Sequence, residues 1–345
     1  MSDTEKEIKC VVWDLDHTIW DGILLESDDV KLKPGIREVI KALDSRGILH
    51  SIASRNEFDF AMGKLKEFGL HEYFLYPEIN WNPKSSALAN IQKNLNIGMD
   101  TILFIDDQPF EREEVKTAHP DVTCLDAVEY ISLPSMPRLN PRFITEDSVR
   151  RRMMYLDDIK RKTEEDEFQG TPEAFLASLN MEFIIHGAWE EDLKRAEELT
   201  VRTNQLNATG RTYDYDELNA FRLSEKHKLL VCELIDNYGS YGKIGLALVE
   251  IKDDCWHLML MLMSCRVISR GVGTVFMSYI MQEAKKAGKK LLADFKTTKK
   301  NRQMYISYKF ANFKEVSSDN DGNILLENDL SIIQPFPPYL KVTIL

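Results

Sequence analysis

The chain predicts an α/β protein in two parts: a parallel-sheet domain over residues 1–130 and an α+β domain over residues 171–345. In the first part, short β-branched runs alternate with amphipathic helical stretches, the spacing of βαβ units. Beyond residue 171, three apolar runs separated by short turns read as an antiparallel meander, after which helix and strand alternate again. A proline-rich stretch, Leu133 to Pro141, cannot continue a helix or a central strand and separates the two.

In order, Cys10 to Trp13 is a buried strand, and Lys33-Pro34-Gly35 opens a helix with Ile36, Val39, Ile40 and Leu43 on one face. Ile48 to Ala53 is the next strand, Phe58 to Phe68 a helix closed by Gly69, and Tyr73 to Tyr76 a short strand. A helix from Ser85 to Leu95, a buried strand from Thr101 to Ile105 and a strand from Val122 to Leu125 complete the first domain. Thr145 to Glu167 reads as a long charged helix joining the domains across residues 131–170, and Thr171-Pro172 caps and restarts the chain.

Chemistry gathers where the first domain's strands end. In a parallel sheet the loops at the carboxyl ends form a crevice. There stand Asp14 and Asp16 with Thr18 beyond, then Ser54 and Arg55, then Asp106 and Asp107, with Lys84 opening a helix between them. By itself Asp-x-Asp-x-Thr is equally an aspartate-rich turn. Carboxylates, a hydroxyl and an ammonium converging on one crevice are what metal-assisted phosphoryl transfer requires. One carboxylate can accept the phosphoryl group while a second protonates the leaving oxygen. Carboxylates this close need a cation between them, and Mg²⁺, hard and oxygen-seeking, suits them.

This constellation resembles the haloacid dehalogenase (HAD) superfamily of phosphotransferases. Asp14-x-Asp16-x-Thr18, Ser54, Lys84 and Asp106-Asp107 match that superfamily's motifs in order. The resemblance implies Asp14 as nucleophile, Asp16 as acid/base, and Asp14, Asp16, Asp106 and Asp107 as the metal site. The short interval from Thr18 to Ser54 leaves no room for a large cap. Phe104-Ile-Asp-Asp-Gln-Pro-Phe-Glu-Arg-Glu113, Trp20-Asp-Gly22 and Ser54-Arg-Asn-Glu57 are similar to the FkbH-like subfamily. That resemblance implies 1,3-bisphosphoglycerate as substrate and an acyl carrier protein as acceptor of a glyceryl group in polyketide or related natural-product biosynthesis. His17 departs from it, since Asn is commoner there.

The second domain's order resembles the GNAT (Gcn5-related N-acetyltransferase) fold, giving a HAD-like parallel-sheet domain followed by a GNAT-like one. The resemblance implies a turn, Ser269 to Thr274, that binds phosphate through Arg270, Gly271 and Gly273 at a helix N-terminus. A Gly pair before a helix is otherwise a tight turn. Cys265, at a strand end between Met263 and Arg266, reads either as a small core residue or as a nucleophile. Arg266, Arg270 and the helix N-terminus favour the thiolate, and the FkbH-like resemblance implies a cysteine thioester here. Asn204, Gln205 and Asn207 resemble a family segment expected at the acyl site.

A net charge of −12 argues against non-specific nucleic-acid binding, and no apolar run reaches the length of a membrane span. Five cysteines without CxxC spacing, behind a polar start, indicate a reducing, cytoplasmic setting. The lysines between Lys285 and Lys300 form either a solvated face or a docking surface for an acidic carrier protein. Three functions stay open: a phosphatase and glyceryl transferase, a Mg²⁺-dependent phosphatase whose second domain only binds substrate or carrier, and a phosphatase beside a non-catalytic docking module.

Overall fold

The computed structural model describes residues 6–345, so residues 1–5 of the polar start lie outside the described residues. The chain divides into two compact units between Asp158 and Ile159. Among the described residues no helix is long and apolar enough to cross a membrane.

The first unit is built on β1 (Cys10–Trp13), followed by the small β2–β3 hairpin (Trp20–Asp21, Lys31–Leu32) and α1 (Ile36–Asp44). Then come β4 (Leu49–Ser54), α2 (Phe58–Glu67), β5 (Glu78–Ile79), α3 (Lys84–Leu95), β6 (Ile102–Asp106), α4 (Pro109–Ala118) and β7 (Thr123–Asp126). The sheet order is β5-β4-β1-β6-β7, and every pair is parallel. All of β1 is buried, as its unbroken apolar run requires of a strand covered on both faces. Trp13 pairs with Ile52 on β4 and with Ile105 on β6, so the carboxyl ends of the three strands lie side by side. Helix α1 buries Ile36, Val39, Ile40 and Leu43, the stripe its periodicity predicts.

The core also holds a histidine. His50 is fully buried; its Nδ1 accepts from Trp13 Nε1 at 3.0 Å, and its Nε2 lies 3.1 Å from the Ile40 carbonyl oxygen. Both contacts are satisfied together only by the neutral ring protonated at Nε2. Burial pulls its pKa down to about 3.

Three expectations change. Residues 73–76 are not a strand: Phe74 makes an isolated bridge to His50, Tyr76 takes a positive φ of 48°, and the pairing strand is β5. The proline-rich stretch, read from the sequence only as an interruption between the domains, is itself structured. It winds into 3-10 turns over Ala127–Ser135 and Pro137–Leu139, and Arg46 donates to the Pro134 and Leu139 carbonyls at 2.7 and 3.1 Å. The long helix is broken at Arg150 into α5 (Glu146–Val149) and α6 (Arg151–Glu167), and Thr145 and Ser148 form a reciprocal capping box ahead of the break.

The second unit contains α7 (Pro172–Ser178), β8 (Met181–Gly187), α8 (Leu193–Arg202), α9 (Tyr215–Leu223), β9 (His227–Asp236), β10 (Gly239–Ile251) and β11 (Cys255–Met263). It continues through α10 (Val272–Lys286), β12 (Lys290–Lys296), α11 (Arg302–Phe310), β13 (Lys314–Ser318), β14 (Asn323–Asn328) and β15 (Leu340–Ile344). The sheet order is β13-β14-β12-β11-β10-β9-β8-β15, with β11–β12 and β8–β15 parallel and the other pairs antiparallel. One face packs α10 and α11 over Phe183, Leu258 and Phe295; the other packs α8 and α9 over Val231, Leu248 and Leu260. The meander β9–β11 followed by α10, β12 and α11 keeps the order read from the sequence, with α9 and β13–β15 added.

The parallel pair at its centre comes apart. β11 and β12 stay in register only from Cys255↔Lys290 to Leu258↔Ala293, although both strands run on. The chain's own segment 206–208 lies in the gap. Ala208 N–H donates to the Met261 carbonyl at 2.9 Å, Met263 N–H donates to the Leu206 carbonyl at 2.9 Å, and Lys296 N–H donates to the Ala208 carbonyl at 2.9 Å. Asn301, 1% exposed, donates its amide to the Asn207 and Lys296 carbonyls at 3.0 and 2.9 Å. Backbone groups that the divergence would orphan are thereby paired within the chain.

Candidate active site

Asp14 follows β1 directly, its N–H donating to the Ile105 carbonyl at 3.0 Å, so the backbone is fixed where the side chain begins. Lys84, the first residue of α3, reaches back into the same place. Its ammonium donates to Asp14 Oδ1, lies 3.1 Å from Asp106 Oδ2 and donates to the Ala53 carbonyl at 2.7 Å. All three charged side chains are buried. Asp106 Oδ1 accepts the Gln108 N–H at 2.8 Å, while Oδ2, despite the nearby ammonium, has no donor aimed at it.

Oxygens of Asp14, Asp106 and Asp107 lie within 4.8 Å of one another. Burial, together with the Asp14 charge, pushes Asp106 up to about 6 and raises Asp107 as well. Burial opposes the charge on Lys84, yet Asp14 and Asp106 outweigh it and raise its pKa. A three-carboxylate group around one ammonium, with a buried oxygen lacking a donor, is short of positive charge. The donor set is all oxygen and fits Mg²⁺.

Asp16 stands apart. Its Oδ1 accepts from Trp20 Nε1 at 2.8 Å and from the Leu24 N–H at 3.1 Å, and its Oδ2 accepts from Asn56 Nδ2 at 3.1 Å. The carboxylate expected as a fourth metal ligand is therefore held by donors and does not join the other three. Burial raises its pKa, partly offset by the Leu24 and Trp20 hydrogen bonds. A carboxyl whose pKa is raised, held apart from a second carboxylate that faces the ammonium, is an arrangement suited to acid/base work.

Thr18 and Ser54 are both buried at this end, and Thr18 Oγ1 has no protein partner. His17 adopts φ 54°, a left-handed conformation that Asn, Asp and His tolerate best, so the departure from Asn keeps the loop's geometry. Arg55 is half-exposed and its guanidinium lies 3.2 Å from Glu111 Oε1. Sequence reasoning missed Asn56, Glu111 and Arg112, which donates to the Asp106 carbonyl at 2.7 Å and to Asp126 at 2.8 Å. A polar residue two places after Ser54, in the same strand-end loop, was the available signal for Asn56.

The second unit's expected residues do not converge in this way. The turn before α10 is a 3-10 turn, Cys265–Arg270, closed by Gly271 at φ 75°. The left-handed φ is what calls for glycine at Gly271; the nearest atom to an added Cβ is the Tyr339 hydroxyl at 2.9 Å, the end of a side chain that can move. A cavity of about 310 Å³ opens beside this turn, lined by Met263, Gly271, Gly273, Thr274, Met277 and Met304 among others.

Cys265 and Arg270 do not line it. Arg270 is buried, pairs with Glu165 at 3.3 Å and lies 5.8 Å over the Phe175 ring. Arg266 donates to the Tyr241 carbonyl at 3.0 Å. The arginines expected to favour a thiolate thus have partners of their own. Asn207 is buried: its Oδ1 accepts from the Thr209 and Gly210 N–H groups at 3.1 and 2.9 Å, and its amide donates to the Thr203 carbonyl at 3.3 Å. It shapes the segment that fills the β11–β12 gap and does not line an acyl pocket. Asn204 and Gln205 are exposed. Cys10, Cys124, Cys232, Cys255 and Cys265 are all free thiols.

Residues 21–112 match the haloacid dehalogenase-like hydrolase family, a span that holds Ser54, Arg55, Lys84, Asp106 and Asp107 and begins just after Asp14, Asp16 and Thr18. The chain is similar to human magnesium-dependent phosphatase 1, 29% identical over 147 residues, which are 37% of this chain and 82% of that protein. It is also similar to the Mg-complexed phosphatase-domain structure of BF1531 from Bacteroides fragilis, at 30% identity and a TM-score of 0.34. That match covers 37% of this chain and spans only 39% of the other chain's length. The ribosomal-protein-S18-alanine N-acetyltransferase of Escherichia coli is 16% identical, with 44% of this chain and 95% of that one covered and a TM-score of 0.35. The chain is an enzyme whose first unit is a haloacid dehalogenase-superfamily hydrolase domain.

Proposed function

We propose that the protein is a Mg²⁺-dependent phosphatase and glyceryl transferase of the FkbH-like kind. It acts on 1,3-bisphosphoglycerate and delivers the glyceryl group to the phosphopantetheine thiol of an acyl carrier protein. The observation that carries the phosphatase half is the separation of two carboxylates: Asp14 in the ion cluster with Lys84 and Asp106, Asp16 held outside it with a raised pKa.

Asp14 attacks the phosphorus of the phosphate ester, forming an aspartyl-phosphate as the ester P–O bond breaks. Asp16 supplies the proton to the departing alkoxide and then takes one from the water that hydrolyses the intermediate. Ser54 and Thr18 hold phosphate oxygens through their hydroxyls, and Lys84 keeps Asp14 aimed and offsets the charge of Asp14 and Asp106. Asp14, Asp106 and Asp107 would hold the metal ion, which supplies charge neutralisation at the transferring phosphoryl group. For transfer, the Cys265 thiolate attacks the acyl-phosphate carbonyl, the carbonyl C–O bond breaks and phosphate leaves. The carrier thiol then displaces Cys265 from the thioester.

One observation favours a second reading. Cys265 lies outside the 310 Å³ cavity, and Arg266 and Arg270 are engaged elsewhere. In that reading the second unit binds substrate or carrier while the first does the chemistry. Intact-protein mass spectrometry after incubation with Mg²⁺ and 1,3-bisphosphoglycerate made in situ separates the two. A glyceryl or phosphoglyceryl adduct on Cys265, transferable to a holo carrier protein, supports transfer; phosphate release without an adduct supports the second reading.

A further inference from the structure

Arg55 and Glu111 take no part in the steps above, yet they are joined across the crevice. Arg55 follows the last residue of β4; Glu111 lies in the first turn of α4, which follows β6. β4 and β6 flank β1 on opposite sides, so a 3.2 Å ion pair between them passes over the end of β1, where Asp14 stands. The partners are unequal: the Glu111 side chain is 6% exposed and that of Arg55 41%. Glu111 Oε2 is buried without a hydrogen-bond partner. A half-satisfied buried carboxylate is costly, and what it secures here is the position of one guanidinium.

That guanidinium has capacity to spare. Its planar fork offers five N–H donors, and the ion pair with Glu111 engages one terminal nitrogen. Lys84 is committed to Asp14, Asp106 and the Ala53 carbonyl, and Arg112 to the Asp106 carbonyl and Asp126. Arg55 therefore keeps an exposed edge beside a site whose other cations are engaged.

We propose that Arg55 determines specificity by binding a second anionic group, a carboxylate or a second phosphate, at the far end of a small phosphate ester. Glu111 acts as its positioning residue. This rests on the phosphatase reading and deepens it. A thioester carries no charge at that end, so the phosphate ester is removed while the far end is still an anion, before the acyl group is loaded onto a thiol.

The test compares kcat/KM for phosphate release with Mg²⁺ on 3-phosphoglycerate, on 1,3-propanediol bisphosphate and on glycerol 3-phosphate, which lacks a second anion. The wild-type enzyme is expected to favour at least one of the first two over glycerol 3-phosphate by about tenfold or more, chiefly through KM. Which of the two is favoured identifies the anion. In Arg55→Met the ratio collapses toward one, Arg55→Lys restores part of it, and Glu111→Gln lowers it through KM. A wild-type ratio near one, or a ratio that Arg55→Met leaves intact, overturns the proposal while the phosphatase reading stands. Hydrolysis of none of the three substrates overturns both.

Discussion

Both units have a central β-strand with open space at its carboxyl end, and they use that space differently. At the end of β1 the neighbours stay parallel, and side chains from β4, β6 and α3 fill the crevice. At the end of β11 the neighbouring strand moves away, and backbone from residues 206–208 closes the gap. The first arrangement leaves a charged site short of positive charge; the second pairs backbone groups across the gap and leaves a methionine-lined cavity to one side. Unpaired charge concentrated in a cleft marks a reactive centre.

The largest effect expected from this contrast is on phosphate release. Asp14→Asn removes the nucleophile, and initial rates on 3-phosphoglycerate should fall by about 10³-fold or more, whereas Cys265→Ala should stay within about twofold of wild type. Lys84→Met comes next, because it leaves two buried carboxylates facing each other. Without metal the variant should lose about 3–5 kcal/mol of stability, and added Mg²⁺ should recover part of it in thermal melts.

His50 gives the first unit an acid weakness. Its folded pKa of about 3 lies below the ordinary 6.5, so the stability it contributes is complete above pH 6.5 and is lost as pH falls toward 3. The slope should approach about 1.4 kcal/mol per pH unit in that window. His50→Asn should flatten it in urea titrations at pH 7 and pH 5. The smallest effect is expected from Asn301→Ala, which removes the amide bracing residues 206–208. It should cost about 1–3 kcal/mol and speed hydrogen exchange at Ala208 and Lys296.

The same contrast explains what was legible in the sequence. Asp14, Ser54 and Asp106 could be located because each is a charged or polar residue at the end of an apolar run, and Lys84 because it opens a helix after Pro83; parallel topology fixes where those ends go. Asp16's separation from the metal group was not legible, since it depends on donors from Trp20, Leu24 and Asn56 folding back around it. The Arg55–Glu111 pair was equally hidden, because 55 residues of chain lie between the partners. In the second unit, sequence proximity misled. Arg266 and Arg270 closely follow Cys265 along the chain, but a 3-10 turn sends both guanidinium groups to other partners. Asn207 looked like a ligand because it is polar in a polar loop; its amide is used up in shaping that loop.

The most direct test of the central claim is Mg²⁺-dependent phosphate release by the wild-type chain and by Asp16→Asn, followed from pH 5 to pH 9. Asp16 as the acid predicts that wild-type activity toward an alkyl phosphate falls as pH rises through the raised pKa of Asp16, and that Asp16→Asn loses both that limb and most of its rate. With p-nitrophenyl phosphate, whose leaving group needs little protonation, the variant should keep far more of its first turnover. An alkaline limb that survives unchanged in Asp16→Asn, with rates near wild type on both substrates, would contradict the division of labour between the two carboxylates.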